Sequence, residues 1–97
     1  MSRVTGTIRV LHVDNEPEFA DLAATFLERE YNRFTVEIAT SASDGLDRLA
    51  DTEFDCIISD YDMPRQNGVE FLESVRNQYP DLPFILYTGH SSPDDKN

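Results

Sequence analysis

Four short runs rich in β-branched and aromatic residues, "IRVLHV" (8–13), "FTVEIAT" (34–40), residues 55–60 and "FILYTG" (84–89), alternate with three stretches of helical periodicity. This alternation is the strongest constraint on the fold. With connections so short it calls for a parallel sheet covered by helices on both faces and joined by right-handed crossovers. Pro17 suits a first helical position, with Glu16 and Glu18 near the positive end of the helix dipole. Phe19, Leu22, Ala23, Phe26 and Leu27 follow at i, i+3, i+4, i+7 and i+8, one face of a helix. Phe34, Val36 and Ile38 alternate as in a half-buried strand at a sheet edge. Ser41 or Ser43 can cap a short helix carrying Leu46, Leu49 and Ala50. Residues 55–60 form a nearly continuous apolar strand, as expected where both faces are covered. Gly68 opens a third helix with Val69, Leu72 and Val75 inward; Pro80 stops it, and Pro83 leads into the fourth strand.

Composition narrows the class. The 97 residues suit one small domain, and 39% apolar content supports a core. No apolar run is long enough to span a bilayer and no signal-peptide pattern occurs, so a cytoplasmic protein that does not engage membranes is expected. The single cysteine, Cys56, lies inside an apolar run and reads as a core residue. Nineteen acidic against eight basic residues give a net charge of −11, and Lys96 is the one lysine. No basic patch exists to meet nucleic-acid phosphates. Dispersed acid with almost no lysine resembles the proteins of salt-loving microbes, and a haloarchaeal origin is expected. The plainer reading is a solvated acidic surface.

The stretch "IISDYDMP" (57–64) ends a strand on Asp60, places Asp62 two residues later and stops at Pro64. The first strand also ends in acid, at Asp14, and the fourth ends at Thr88-Gly89. In an open α/β sheet the functional crevice lies beyond the carboxyl ends of the strands, where strand order reverses. If strands one and three are neighbours, Asp14 and Asp60 face each other there, with Asp62 in the following loop. Clustered carboxylates without His or Cys select a hard cation, and Mg²⁺ (or Mn²⁺) suits one or two carboxylates plus waters and a phosphoryl oxygen. Singly, each aspartate reads rather as a turn former or helix cap; together at strand ends they favour a site.

"VDNEPE" after the first strand, "SDYDMPRQNG" after the third and "LYTG" after the fourth resemble the receiver domain of two-component response regulators. The resemblance covers nearly the whole chain, from about Ile8 to Thr88. It implies a flavodoxin-like, doubly wound parallel sheet of order 2-1-3-4, and a single receiver domain over residues 1–97. Asp60 would accept a phosphoryl group from a sensor histidine kinase or phosphotransfer protein, forming an aspartyl phosphate. Asp14 would hold Mg²⁺, Asp60 would ligate it through its side chain, and Asp62 would offer its backbone carbonyl. Met63 and Pro64 would fix the loop and Gly68 would allow its tight exit into the helix. Thr88 would contact the phosphoryl group and switch the following loop, while Gly89 would leave the acceptor open.

Three departures stand out. Asn15 occupies the second position of the usual acidic pair and supplies no charge, so weaker Mg²⁺ binding is expected, with Glu16 as a substitute ligand. The family's fifth strand, its last helices and its lysine have no counterpart; Lys96 comes too early in the topology. Ser91-Ser92-Pro93-Asp94-Asp95 opens a helix that does not follow, which suggests truncation. An exposed fourth strand would then be a template for a homodimer. His12 and His90 show no metal-ligand spacing, and core packing and solvent exposure are the expected roles; Tyr61 reads as a loop aromatic. Two other functions compete. A pseudo-receiver would keep the fold as an interaction module without using phosphate, and Asn15 and the missing lysine favour it. A haloacid-dehalogenase-type phosphatase also uses Asp-x-Asp after a strand, but Pro64 and the short chain argue against it.

Overall fold

The computed structural model describes residues 6–88. Seven elements follow in the order β1 (Ile8–Val13), α1 (Pro17–Glu30), β2 (Phe34–Ala39), α2 (Ala42–Asp51), β3 (Cys56–Asp60), α3 (Gly68–Gln78) and β4 (Phe84–Tyr87). All strand pairs are parallel and the sheet order is β2-β1-β3-β4, the doubly wound arrangement expected from the alternation. Strand β3 starts one residue later than the sequence pattern suggests, and β4 is regular only to Tyr87.

Helix boundaries follow local chemistry. Pro17 begins α1, where its missing N–H costs nothing, and Ser41 rather than Ser43 caps α2 by accepting the Asp44 N–H at 3.0 Å. Asn67 and Glu70 form a reciprocal capping box at the start of α3, each side chain accepting the other's backbone N–H at 2.9 Å. The Glu28 carboxylate accepts from Val36 N–H, which fastens α1 to the outer edge of β2.

Side chains of alternate parity feed two layers. Leu11, Val13 and Ile57 join Leu49, Phe54, Met63, Phe71 and Val75 in the core between the sheet and α2/α3. On the opposite face His12 meets Phe19 of α1. The helices bury only part of what periodicity suggested: Leu49 and Val75 are inward as expected, and other positions differ. In α1 the buried line is Ala20 and Ala24, whose small side chains let the helix approach the sheet, whereas Phe19, Leu22 and Phe26 flank that line and remain exposed. In α2 Ala42 and Leu49 are buried and Ala50 is exposed. In α3 the inward residues are Gly68, Phe71 and Val75; Val69 is exposed and Leu72 half-buried. Here the helix rolls so that the large Phe71 ring, 5.5 Å from that of Phe84, takes the centre of the layer.

Strand β4 pairs with β3 on one side, and among the described residues no strand pairs with its other edge. Ile85 and Leu86 are exposed. Gly89, His90, the 91–95 helix signal and Lys96 lie outside the described residues.

Candidate functional site

The site forms where β1, β3 and β4 end. Val13 lies opposite Ser59 across the β1–β3 ladder, so Asp14, one residue on, stands level with Asp60. Both aspartates are fully buried, at 0% exposure. Each closes the same local turn. Asp14 Oδ1 accepts from Glu16 N–H at 2.8 Å, and Asp60 Oδ1 accepts from Asp62 N–H at 3.1 Å. The turn-forming reading of these residues holds and is compatible with a shared site: the turn fixes each carboxylate's rotamer and the register sets the two side by side.

The loop from Tyr61 to Asn67 is drawn in by its backbone. Tyr61 N–H continues the β4 ladder to Tyr87 O at 2.7 Å, and Tyr61 O accepts from both Met63 N–H and Gly68 N–H. Met63 is buried in the α2/α3 core and anchors the loop, while Pro64, Asp62 and Tyr61 are exposed. Arg65 takes a left-handed backbone, with φ of 70°, which the loop needs to turn back. Gly68 is required for a reason other than the backbone freedom expected of it, since no described glycine has positive φ. A Cβ at this position would lie 2.6 Å from Asp60 O and 2.8 Å from Tyr61 Cα. The first turn of α3 thus sits directly against the end of β3.

Two residues enter the site that the sequence motifs did not single out. Tyr87, opposite Asp60 in the β3–β4 register, donates its hydroxyl to Asp14 Oδ2. The same hydroxyl lies 2.9 Å from His12 Nε2. Because the phenol proton is committed to the carboxylate, His12 must donate from Nε2, which leaves buried Nδ1 as the lone-pair nitrogen with no hydrogen-bond partner. A neutral ring fits. Burial lowers the His12 pKa below 6.5, against the opposing pull of Asp14. Burial, then the hydrogen bond to Asp14, then the charges of Asp14 and Asp60, push the Tyr87 phenol well above its ordinary pKa of 10.0. Phe19 packs against both rings, 6.5 Å from His12 and 6.3 Å from Tyr87. His12 is a core residue, as expected, but a hydrogen-bonded one. Tyr87 carries no signal of its own in the sequence; only the register opposite Asp60 places it here.

Of the residues singled out by sequence, Asp14 and Asp60 are brought together, and Asn15, Glu16, Asp62 and Thr88 are exposed residues on the segments that leave the three strand ends. Gly89 falls outside the described residues. Among the described residues no group of three or more His, Cys, Asp and Glu side chains converges as a cation cage. Two buried carboxylates, with an amide and a main-chain carbonyl nearby in sequence, instead suit a hard ion that keeps most of its water, as Mg²⁺ does. A cavity of about 630 Å³ opens at the opposite end of the sheet, between residues 49–55 and 79–83, and is not part of this site. Among the described residues no helix is long and apolar enough to cross a membrane.

Comparison with known proteins agrees with this geometry. Residues 10–97 match the response regulator receiver domain family. The chain is 38% identical over 87 residues to the two-component response regulator ARR10 of Arabidopsis thaliana, covering 89% of this chain and 15% of that protein. Across the first curated relatives the chain spans 15% to 38% of their length. Among solved structures, Vibrio cholerae chemotaxis protein CheY4 superposes with a TM-score of 0.79 at 31% identity, covering 94% of this chain and 76% of that one. The response regulator TrrA of Thermotoga maritima, solved in complex with Mg²⁺-BeF, gives a TM-score of 0.80 at 28% identity, covering 88% of this chain and 72% of that one.

Proposed function

The chain belongs to the response regulator receiver domain family, and on that premise we propose that it receives a phosphoryl group on Asp60 from a sensor histidine kinase or phosphotransfer protein. The observation that carries this reading is the fully buried Asp60 at the end of β3, level with the equally buried Asp14. An Asp60 carboxylate oxygen attacks phosphorus, a P–O bond forms, and the P–N bond to the donor imidazole breaks with its electron pair returning to nitrogen. Donor and acceptor are both anionic, so the reaction needs positive charge at the site. Mg²⁺, when bound, supplies it and offsets charge developing on the phosphoryl oxygens. On this chain Asp14 and Asp60 would hold the ion with Asn15, the Asp62 carbonyl and water. The Asp62 N–H orients Asp60, and Met63 with the Gly68 contact fixes the loop that delivers it. Thr88, next after β4, would donate its hydroxyl to the arriving phosphoryl group and carry the change into the segment that follows.

Asn15 favours a second reading, an interaction module that keeps the fold without using phosphate. The two separate by intact mass after treatment with acetyl phosphate and Mg²⁺ in concentrated KCl. One added phosphoryl group on the wild type and none on Asp60→Asn supports the acceptor. No addition on the wild type supports the interaction module. Pairing of two copies along β4 goes with either reading, and a monomer by light scattering in concentrated salt would count against it.

A further inference from the structure

Two buried carboxylates at adjacent strand ends can persist only if something orients and screens them. The hydroxyl of Tyr87 stands at that point. It donates to Asp14 Oδ2, while the Glu16 N–H holds Oδ1, so both oxygens of the carboxylate are fixed by donors. The phenol is itself held. His12 Nε2 donates to its oxygen, and the Phe19 and His12 rings lie tilted or edge-on against its ring. This support reaches Asp14 from three elements: β1 through His12, α1 through Phe19 and β4 through Tyr87. None of the three residues belongs to the acidic motifs, and the family's phosphoacceptor chemistry does not call for them.

We propose that Tyr87, braced by His12 and Phe19, is a positioning residue that sets the Asp14 carboxylate for the hydrated cation. The inference rests on the receiver reading, because it concerns the ion which that reading requires. Outer hydrogen bonds of this kind fix the orientation of a metal-binding carboxylate, and their removal typically weakens metal binding about 10- to 100-fold. Asn15 makes the dependence sharper here. With no charge at the second position of the pair, the ion relies on Asp14 and Asp60, and without the phenol Asp14 is held at Oδ1 alone, leaving Oδ2 unset.

The test is calorimetric Mg²⁺ titration of wild type, Tyr87→Phe and Tyr31→Phe, each shown to be folded by circular dichroism at the titration temperature. The Tyr31 variant controls for loss of an exposed phenol on the far end of α1. Tyr87→Phe keeps the ring packing and removes only the hydroxyl, and its Mg²⁺ dissociation constant should rise about tenfold or more. Wild type and Tyr31→Phe should agree. A second readout is the acetyl phosphate labelling rate as a function of Mg²⁺. The Mg²⁺ concentration for half-maximal rate should rise in Tyr87→Phe while the rate at saturating Mg²⁺ stays within about twofold, a split that mere loss of folded protein would not produce. Unchanged or tighter Mg²⁺ binding by folded Tyr87→Phe overturns the positioning role. If wild type itself binds no Mg²⁺ and takes no phosphoryl group, the receiver reading has failed and the inference falls with it.

Discussion

Replacing Gly68 with alanine adds one methyl group at the junction of α3 and the acceptor loop. That methyl would sit 2.5 Å from Leu86 Cδ1, 2.6 Å from Asp60 O and 2.8 Å from Tyr61 Cα. The leucine methyl can rotate away, but the other two atoms are backbone and can move only if β3 and α3 separate. Overpacking of this kind costs roughly 1–3 kcal/mol, and the better helix propensity of alanine returns at most about 1 kcal/mol. A net loss of about 1–2 kcal/mol lowers the melting temperature of a domain this size by roughly 5–15 °C. Gly45→Ala is the matched control. Its added methyl meets only side-chain atoms, Phe71 Cζ at 2.9 Å and Val13 Cγ2 at 3.3 Å, so its loss should be smaller. Melts in concentrated KCl would compare the two. Because relief in Gly68→Ala must displace the main chain at Asp60, labelling by acetyl phosphate should also slow about 10- to 100-fold in protein that is still folded. A Gly68→Ala protein melting within about 2 °C of wild type, or a larger loss in Gly45→Ala, would refute the steric account.

Asn15→Asp should tighten Mg²⁺ binding by restoring a charged oxygen beside Asp14; a titration showing unchanged affinity would sink the idea that the amide weakens the site. Asn67→Ala removes the side-chain half of the α3 capping box and should cost about 1 kcal/mol in urea melts, while an unchanged midpoint would mean that solvent replaces the cap. Burial, and then the charge of Asp55, raise the Cys56 pKa above 9.0. The folded thiol therefore keeps its proton at pH values where the unfolded thiol has lost it, so this contribution to stability is fully present below pH 9.0 and is lost as pH rises from there through the higher folded pKa. At pH 8 alkylation by iodoacetamide should be much slower in the folded protein than in urea, and equal rates would contradict that assignment.

The fold was legible because its determinants are local and repetitive. Apolar runs alternating with helical periodicity gave the element order, and Pro17 and Ser41 marked helix starts that the structure keeps. What periodicity could not rank was which face of each helix turns inward. In α1 close approach to the sheet favoured Ala20 and Ala24 over the bulkier Phe19, Leu22 and Phe26, a packing result that a hydrophobic stripe does not encode. At the site, Asp14 and Asp60 were readable because acids at strand ends are unusual. Tyr87 was not, because a tyrosine in a strand reads as ordinary β propensity until the register places it opposite Asp60. Gly68 was visible as a glycine, yet its reason, the close approach of two backbones, exists only in three dimensions.

The parallel sheet has a consequence for how the site comes into being. Among the described residues no two adjacent strands are joined by a hairpin, so each of their pairings waits for a crossover helix to be synthesised and closed. The acid site is the extreme case: Tyr87 reaches Asp14 across 73 positions of sequence and His12 across 75. A nascent chain lacking β4 can pair β1 with β2 and even with β3, but it cannot brace Asp14. Such distant contacts slow folding relative to a helical bundle of equal size. They also make the completed acid pocket a late event, so a cation taken up there during refolding would report the pairing of β4 rather than any early collapsed form.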